Sequence, residues 1–318
     1  MNKIVVTGAG GFIGTHLVKY LEEKGYWVRG IDIKYPEFEE TVADEFILQD
    51  LRYPAPHLFK DIDEVYHLAA DMGGIGYIET HKADIVFNNT MINMLTIKAC
   101  QEQGVGKFLF ASSACVYPDY LQDTTNPFPL KEEEAYPAEP EDGYGWEKLM
   151  MERTCRHFRE DYGLKTYVAR LHNIYGELGT YDGGREKSPA ALCRKIALAK
   201  NGEAIQIWGD GRQKRSYCYV DDCVEGLYKL MQSDYHEPIN IGTDRLVSIN
   251  EMVDIIADIS HKLIFKNYEP NQPQGVRGRN ADITKAREIL GWQPKVSLEE
   301  GLEKLYLWIN QQLFSEKK

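Results

Sequence analysis

The stretch KIVVTGAGGFIG, residues 3–14, decides the fold. Its first five residues are rich in β-branched side chains, which suits a strand buried in a parallel sheet. Three glycines follow in the spacing GxxGxxG, and a helical pattern of apolar residues begins among them. Glycines at such a turn let the backbone approach a pyrophosphate, whose charge the N-terminus of the next helix favours. The sequence therefore predicts a dinucleotide-binding turn formed by Gly8, Gly11, Phe12, Ile13 and Gly14.

Asp32 indicates which dinucleotide this turn binds. It ends a second predicted strand, residues 27–31, where an acidic side chain can bind both hydroxyls of the adenosine ribose and repel a 2′-phosphate. We therefore expect NAD rather than NADP. Asp50 follows a third predicted strand and could reach the adenine. Ala69 follows the predicted strand 64–68, and its small side chain would leave room for the pyrophosphate.

The rest of the first half continues the alternation of strands and helices. Long helices are predicted at residues 83–103 and 144–162, and strands at 107–111 and 165–170. Strands separated by helices form a parallel sheet with right-handed crossovers. We therefore predict an α/β fold: a Rossmann-type doubly wound parallel sheet with a smaller, mostly C-terminal α/β substrate domain.

The domain boundary is expected near residue 171, where the regular alternation loosens. The NAD-binding domain would span residues 1–171, with about 216–245 returning to it, and the substrate domain would span 172–318. The elements predicted in the second half are strands at 216–219 and 239–242 and helices at 189–199, 223–231, 249–259 and 298–312.

Tyr144 and Lys148 form a candidate catalytic pair. They are four residues apart on a predicted helix, so their side chains lie on one face. An ammonium beside a phenol lowers the tyrosine pKa, and such a tyrosine could take a proton from a sugar hydroxyl near neutral pH. Ser113 and Cys115 follow the strand 107–111 and would lie at its C-terminal end, where open α/β sheets hold their ligands. A buried, inert thiol is the alternative for Cys115.

Nearby side chains are expected to take no part in this site. Trp146 lies between Tyr144 and Lys148 and should point away from it. The three glutamates 132–134 lie in the intervening loop, and we expect all three to be solvated.

The second half concentrates cations and glycine-rich loops in an acidic chain, which indicates a buried anion. A nucleoside diphosphate has the right size and charge, and solvated surface arginines are the alternative. The loop 71–76 and the strand end before Asn173 should face the same site. The expected substrate-binding residues are Gly73, Ser113, Asn173, Glu186, Lys187, Lys195, Gln213, Arg215 and Arg277.

Composition excludes several other functions. The net charge of −12 argues against a broad nucleic-acid-binding face, and no apolar run approaches membrane-spanning length. Six cysteines show no CxxC pair and no metal-like grouping with histidine, so we expect reduced thiols and no metal. The strand pattern begins at Lys3 with no signal peptide before it, so we expect a cytoplasmic protein.

Together these motifs resemble the extended short-chain dehydrogenase/reductase family. The resemblance covers nearly the whole chain, and within that family it is closer to the GDP-mannose 3,5-epimerases, a group of NAD-dependent epimerases. The motifs that carry the closer resemblance are AADMGG (69–74), ASSACVYP (111–118), HNIYG (172–176), GGREK (183–187), WGDGRQKRS (208–216), GVRGRN (275–280) and LGWQP (290–294).

The resemblance implies an isomerase that converts GDP-mannose to GDP-L-galactose, GDP-L-gulose or both. Tyr144 would take the proton of the C4 hydroxyl during transient oxidation by NAD, and Ser113 would hold the C4 oxygen. Cys115 and Lys187 would be the acid–base pair that inverts C3 and C5 before re-reduction. The motif has Ala114 beside Cys115 and no adjacent acid, which argues against a 4,6-dehydratase.

Two other functions share much of this pattern. A C4-epimerase or 4-keto reductase of another nucleotide sugar would have the same cofactor site and would not need Cys115 or Lys187. A non-catalytic NAD-binding regulatory protein belongs to another class, and it would have no use for the set Tyr144, Lys148 and Ser113. In either case the two long helices, 83–103 and 144–162, could pack against their mates in a homodimer.

Overall fold

A parallel seven-stranded sheet forms the centre of the molecule in the computed structural model, which describes residues 2–315. The sheet order is β11-β6-β5-β4-β1-β2-β3. Its strands are β1 Lys3–Thr7, β2 Trp27–Asp32, β3 Glu45–Leu48, β4 Glu64–His67, β5 Lys107–Ser113, β6 Lys165–Leu171 and β11 Ile239–Ile241. The predicted Rossmann-type fold is confirmed.

Helices cover the sheet and build the second layer of the molecule. They are α1 Phe12–Glu23, α2 Ile75–Thr80, α3 Lys82–Glu102, α4 Asp142–Tyr162, α5 Ser188–Leu198, α6 Val220–Met231, α7 Ile249–Ser260, α8 Thr284–Leu290 and α9 Leu298–Phe314. The apolar face of α1 buries Leu17, Val18 and Leu21, each of which stabilises the fold by about 1.5–3 kcal/mol. None of the helices described in residues 2–315 has the length and apolar character needed to cross a membrane.

The order of the sheet places the functional crevice. From β1 the chain moves outward through β2 and β3, then returns to β4 on the other side of β1 and continues through β5 and β6. The loops after β1 and β4 therefore diverge, and a crevice opens at the C-terminal ends of the strands, where doubly wound sheets bind their ligands.

Asn240, on β11, joins the late part of the chain to the sheet edge beside β6. Its Nδ2 donates to the carbonyls of Leu130 (2.8 Å) and Asp282 (3.0 Å), and its Oδ1 accepts from the Tyr117 hydroxyl (2.6 Å). The pairing supports the predicted return of residues 216–245, while the division at residue 171 stays a prediction.

Glu132 departs from its predicted solvated position. Its side chain is buried and accepts the backbone N–H of Asn240 at 3.0 Å, and its other oxygen lies 3.5 Å from Lys285 Nζ. Glu133 is exposed, as expected, and pairs with the same lysine at 2.7 Å. The prediction failed for Glu132 because its partners lie more than 100 residues further along the chain.

The second half of the chain also contains short strands, of which the sequence pattern revealed only β10, within the predicted strand 216–219. β8 Glu203–Trp208 pairs in parallel with β13 Ile264–Glu269, and β9 Lys214–Arg215 lies between β12 Val247–Ser248 and β14 Gly278–Arg279. The remaining strands, β7 Ile174–Tyr175 and β10 Cys218–Tyr219, pair with each other. The loop predicted at 71–76 is also shorter than expected, because α2 begins at Ile75.

Candidate active site

The glycine turn after β1 is packed so closely that no side chain fits in it. A Cβ added at Gly14 would lie 2.0 Å from the Gly8 carbonyl oxygen, and one at Gly10 would lie 2.2 Å from the Lys34 oxygen. At Gly8, where φ is +74°, a Cβ would lie 2.8 Å from the backbone nitrogen of Ala69. The turn therefore presents bare backbone and the N-terminus of α1 to the crevice, as binding of a pyrophosphate requires.

Asp32 completes this side of the crevice at the end of β2. Its carboxylate accepts hydrogen bonds from the backbone N–H groups of Gly10 (2.9 Å) and Ile33 (2.6 Å). Burial raises its pKa, and these hydrogen bonds oppose that rise. Asp50 follows β3, as predicted, and forms an ion pair with Arg52 at 2.6 Å. Its contact with the adenine stays a prediction.

Tyr144 and Lys148 are buried on one face of α4 at the end of β5. Lys148 Nζ lies 5.6 Å from the centre of the Tyr144 ring and donates to the Ala111 carbonyl oxygen at 3.1 Å. Burial lowers the pKa of Lys148. Burial also raises the pKa of Tyr144 well above 10; the charges of Cys115 and Glu147 add to the rise, and a hydrogen bond with Ser113 opposes it.

The predicted lowering of the Tyr144 pKa by Lys148 is therefore wrong for this structure. The phenol is fully desolvated, and the ammonium is turned toward a backbone carbonyl. The spatial pairing of the two side chains, by contrast, is as predicted, and Trp146 is exposed on the other side of the helix.

A buried polar chain that the sequence did not reveal holds α4 against α3. Glu147, next to Lys148, accepts hydrogen bonds from Asn89 (2.9 Å) and Asn93 (3.1 Å). Asn93 Oδ1 lies 2.9 Å from Nε2 of His67, whose Nδ1 lies 2.8 Å from the Thr7 hydroxyl at the end of β1. These contacts link the catalytic helix to the strand that carries the glycine turn.

Cys115 lies near a carboxylate, Glu141, and a guanidinium, Arg279, which come from distant parts of the chain. Arg279 Nη1 donates to its sulfur at 3.5 Å, and Arg279 Nη2 pairs with Glu141 at 2.5 Å. Burial, and then the charge of Glu141, raises the pKa of the Cys115 thiol to about 11. The motif has no acid adjacent to Cys115 in sequence, as stated above, whereas the folded chain brings Glu141 near it.

Gly145 lets this arrangement form. The Cys115 carbonyl accepts the backbone N–H of Glu141 at 3.0 Å, just before α4. A Cβ on Gly145 would lie only 2.2 Å from that carbonyl oxygen. A glycine in the first turns of the helix thus brings Cys115 close to Tyr144.

Lys187 approaches from the loop before α5. Burial lowers its pKa, and the charge of Cys115 acts in the opposite direction, so the two side chains face a common space. The loop is tied to the loop after β4: the Arg185 carbonyl accepts the Gly74 N–H at 3.0 Å, and the Arg185 guanidinium stacks on Tyr77, 3.8 Å from the ring centre. We call these contacts, with the 3.5 Å approach of Arg185 to Asp71, the loop clasp.

Arg215 and Gln213 have the character expected of an anion site. Arg215 donates to the backbone carbonyls of Lys214 (2.8 Å) and Gln274 (3.3 Å), and it has no ion pair with a carboxylate among the described residues. Burial and the neighbouring Arg279 lower its pKa to about 10. The Gln213 side-chain oxygen is buried with no hydrogen-bond partner in the described part of the chain.

The other expected substrate residues are partly engaged within the protein. Asn173 donates to the Ser216 carbonyl at 2.9 Å, and Lys195 donates to the Gln206 carbonyl at 2.9 Å. Glu186 accepts the Gly184 N–H at 2.7 Å, and Arg277 pairs with Asp210 at 3.0 Å. Gly73 faces Tyr77, since a Cβ there would lie 2.9 Å from the Tyr77 Cβ.

Comparison with known proteins matches residues 4–242 to the NAD dependent epimerase/dehydratase family. The chain is 45% identical to a GDP-mannose 3,5-epimerase of Arabidopsis thaliana, over 99% of this chain and 84% of that protein. It is 46% identical to GDP-mannose 3,5-epimerase 1 of Oryza sativa subsp. indica, over 99% of this chain and 83% of that protein.

Solved structures show the same architecture. A UDP-glucuronic acid 4-epimerase from Bacillus cereus, in complex with UDP-glucuronic acid and NAD, superposes with a TM-score of 0.84 at 30% identity, over 98% of this chain and 100% of that one. A Thermotoga maritima UDP-glucose 4-epimerase with UDP-glucose has a TM-score of 0.86 at 30% identity, over 98% and 99%.

Proposed function

Because the chain belongs to the NAD-dependent epimerase/dehydratase family, and within it to the GDP-mannose 3,5-epimerases, we propose that it inverts C3 and C5 of GDP-mannose. The products would be GDP-L-galactose, GDP-L-gulose or both. One observation supports the proposal: Ser113 and Cys115 lie against the helix turn that carries Tyr144, since the Cys115 N–H donates to the Ser113 hydroxyl at 3.2 Å and the Cys115 carbonyl packs against Gly145. The charge of Cys115 also acts on Lys187, from a third segment.

The residues around the glycine turn fit NAD. The bare backbone at Gly8, Gly11 and Gly14 would receive the pyrophosphate, and Asp32 would bind the adenosine ribose. Bound NAD supplies a reversible hydride acceptor for C4 of the sugar. All the remaining chemistry is proton transfer and charge stabilisation, which the side chains of this protein can perform.

Tyr144 would move the proton of the C4 hydroxyl, and Ser113 would hold the C4 oxygen through its own hydroxyl. Ser113 acts on the Tyr144 pKa in the direction opposite to burial, which supports these roles because the two hydroxyls would then face the same substrate oxygen. Lys148 is buried on the same face of α4 as the phenol of Tyr144 and would stabilise the phenolate as it forms.

Cys115 and Lys187 would move protons on the carbons that flank C4. A ketone at C4 acidifies the C–H bonds at C3 and C5, and its enolate oxygen stays within reach of the Tyr144 and Ser113 donors. Inversion needs one group that takes a proton and another that returns one. Desolvation raises the pKa of the Cys115 thiol and lowers that of the Lys187 amine, which favours the proton-donating form of the first and the proton-accepting form of the second.

The nucleotide would lie along β9 and the loops beside it, where Arg215 and Gln213 are found. Arg215 is a half-buried cation whose guanidinium donates only to carbonyls among the described residues, so a diphosphate would supply its missing counter-charge. Gln213 has an unpaired acceptor for a sugar or base donor. We assign supporting contacts to Gly73, Asn173, Glu186, Lys195 and Arg277.

We also infer a cytoplasmic homodimer. The six cysteines are unpaired, as in a reducing compartment. Phe87 on α3 and Trp146 and Met150 on α4 are each more than half exposed, an unusual placement for large apolar side chains that a second copy would cover. Light scattering of a Phe87→Glu variant should show monomers, and an unchanged mass would contradict this arrangement.

The proposed function is tested by incubating the protein with GDP-mannose in deuterated buffer. Label should appear at C3 and C5 by mass spectrometry and NMR. The Cys115→Ala and Lys187→Met variants should lose most of this label yet keep transient NADH absorbance. Absence of label from the wild-type protein would refute 3,5-epimerisation, and normal turnover by Cys115→Ala would favour C4 chemistry instead.

A further inference from the structure

Arg215 and Arg279 are neighbours across two short strands. In the parallel pairing of β9 with β14, Arg279 lies in register with Arg215, which places a buried and a half-buried cation side by side. Two like charges this close repel each other, so each guanidinium makes the charged form of the other less favourable unless an anion compensates it. The two guanidinium groups have different partners, and this difference suggests different functions.

Arg279 is fully engaged within the protein. Its Nε donates to Gln122, its Nη2 pairs with Glu141 at 2.5 Å, and its Nη1 reaches the Cys115 sulfur at 3.5 Å. Gln122 is itself fixed, since its Nε2 donates to the carbonyls of Tyr117 (3.2 Å) and Pro118 (3.1 Å). The side chain of Arg279 is only 6% exposed, so its orientation is set by these contacts.

The contact with Cys115 is weak in one protonation state and strong in the other. A neutral thiol is a poor hydrogen-bond acceptor, whereas a thiolate accepts a charge-assisted hydrogen bond. Arg215, in contrast, has no such anion within residues 2–315 and remains available to a substrate diphosphate. A guanidinium that is buried, fixed and directed at a sulfur therefore favours the state in which that sulfur is charged.

We propose that Arg279 is a positioning residue that stabilises the thiolate of Cys115 during proton transfer, and that Glu141 opposes it so that the thiol is protonated at rest. The proposal rests on the function proposed above. When the enolate is protonated, the S–H bond breaks, the enolate electron pair forms the new C–H bond, and the sulfur keeps its own pair. The reverse step returns the proton from carbon to sulfur. No electrons are exchanged with another group.

Several other charged groups also act on the thiol. Cys115 is coupled to Lys187 on the loop before α5, to Tyr144 and Lys148 on α4, and to Arg215 on β9. These residues are all retained in variants at positions 141 and 279. The pairing of Arg279 with Glu141 can therefore be tested by removing one charge at a time.

The test is the pH dependence of Cys115 alkylation by iodoacetamide, followed by peptide mass spectrometry without substrate. The other five cysteines are buried, so the reaction reports Cys115. The Glu141→Gln variant should lower the pH at which alkylation begins and raise the rate at pH 8 about tenfold, which corresponds to one pKa unit. The Arg279→Gln variant should have the opposite effect. Matched controls are Glu139→Gln and Arg287→Gln, which remove exposed charges.

Shifts in the same direction, or no shift in Glu141→Gln, would overturn the proposal, because a merely structural role predicts no opposite signs. If Arg279→Gln does not fold, Glu141→Gln and Arg279→Lys still decide the matter. In the labelling assay Arg279→Gln should reduce deuterium uptake about tenfold or more while transient NADH formation is kept. If wild-type protein takes up no label but the opposite alkylation shifts remain, the proposed function fails and the thiolate contact stands.

Discussion

Replacing Gly145 by alanine tests whether the close approach of Cys115 to α4 is needed. In an exposed helix this change would stabilise the protein by about 0.8–1.0 kcal/mol, because alanine is the better helix former. Here the new Cβ would lie 2.2 Å from the Cys115 carbonyl oxygen and 3.0 Å from the Pro140 Cβ. To reach the 3.4 Å of an ordinary contact, the backbone carbonyl must move by about 1.2 Å.

The steric effect should win. Overpacking against rigid groups costs about 1–3 kcal/mol, and the helix-propensity gain offsets about 1 kcal/mol of it, so we expect the variant to be less stable than the wild type by up to about 2 kcal/mol. A displacement near 1 Å at a catalytic group costs about a hundredfold in rate, so deuterium uptake at C3 and C5 should fall by that order.

Urea unfolding and the labelling assay measure the two effects separately. Gly143→Ala is the comparison variant on the same helix, since its Cβ would lie 2.7 Å from a Val86 methyl group and 3.8 Å from the Lys82 carbonyl oxygen, without meeting Cys115. A Gly145→Ala protein that is more stable than the wild type and labels normally would refute the reasoning.

Three further predictions concern the loop clasp around Arg185, the buried histidines, and the buried ion pair between Arg170 and Glu152. Arg185→Ala should loosen the loop that carries Lys187 and reduce deuterium uptake about tenfold while NADH formation is kept; equal loss of both would contradict this. Burial lowers the pKa of His67 and His172 to about 3, whereas an unfolded histidine titrates near 6.5. As the pH falls below 6.5, the unfolded chain binds protons that the native state cannot. The free energy of unfolding should therefore drop by about 1.4 kcal/mol per pH unit for each histidine. Urea unfolding at pH 7.5 and at pH 5.5 measures this drop, and equal free energies of unfolding at the two pH values would contradict it. Arg170→Met should cost about 3–5 kcal/mol, because it leaves a buried carboxylate without the partner now 2.7 Å away, and an unchanged unfolding midpoint would show that the pair contributes little.

Local patterns predicted the parts of the fold that depend on neighbouring residues. β1 has the predicted bounds, and the glycine turn lies where its spacing placed it. Ser248 caps α7 through a local contact, with its hydroxyl accepting the Glu251 N–H at 3.1 Å. In each case the information lies within a few residues, so the sequence contains it directly.

Contacts between distant residues could not be predicted in the same way. Glu141 and Arg279 are 138 positions apart, and nothing in either segment indicates that they meet at Cys115. β8 and β13 stabilise each other across about 60 residues, and each has an alternating pattern too short to identify alone. The pKa of Tyr144 depends on how completely the folded chain excludes water, which residue spacing does not reveal.

The position of Asn240 has a consequence for synthesis on the ribosome. Six of the seven sheet strands have been made by the time Leu171 leaves the tunnel, yet the polar groups around Tyr117, Leu130 and Glu132 still lack the amide that satisfies them. A nascent chain stopped before residue 239 should therefore remain sensitive to protease at this edge. Protection should arrive abruptly, once that single asparagine and its short strand have emerged.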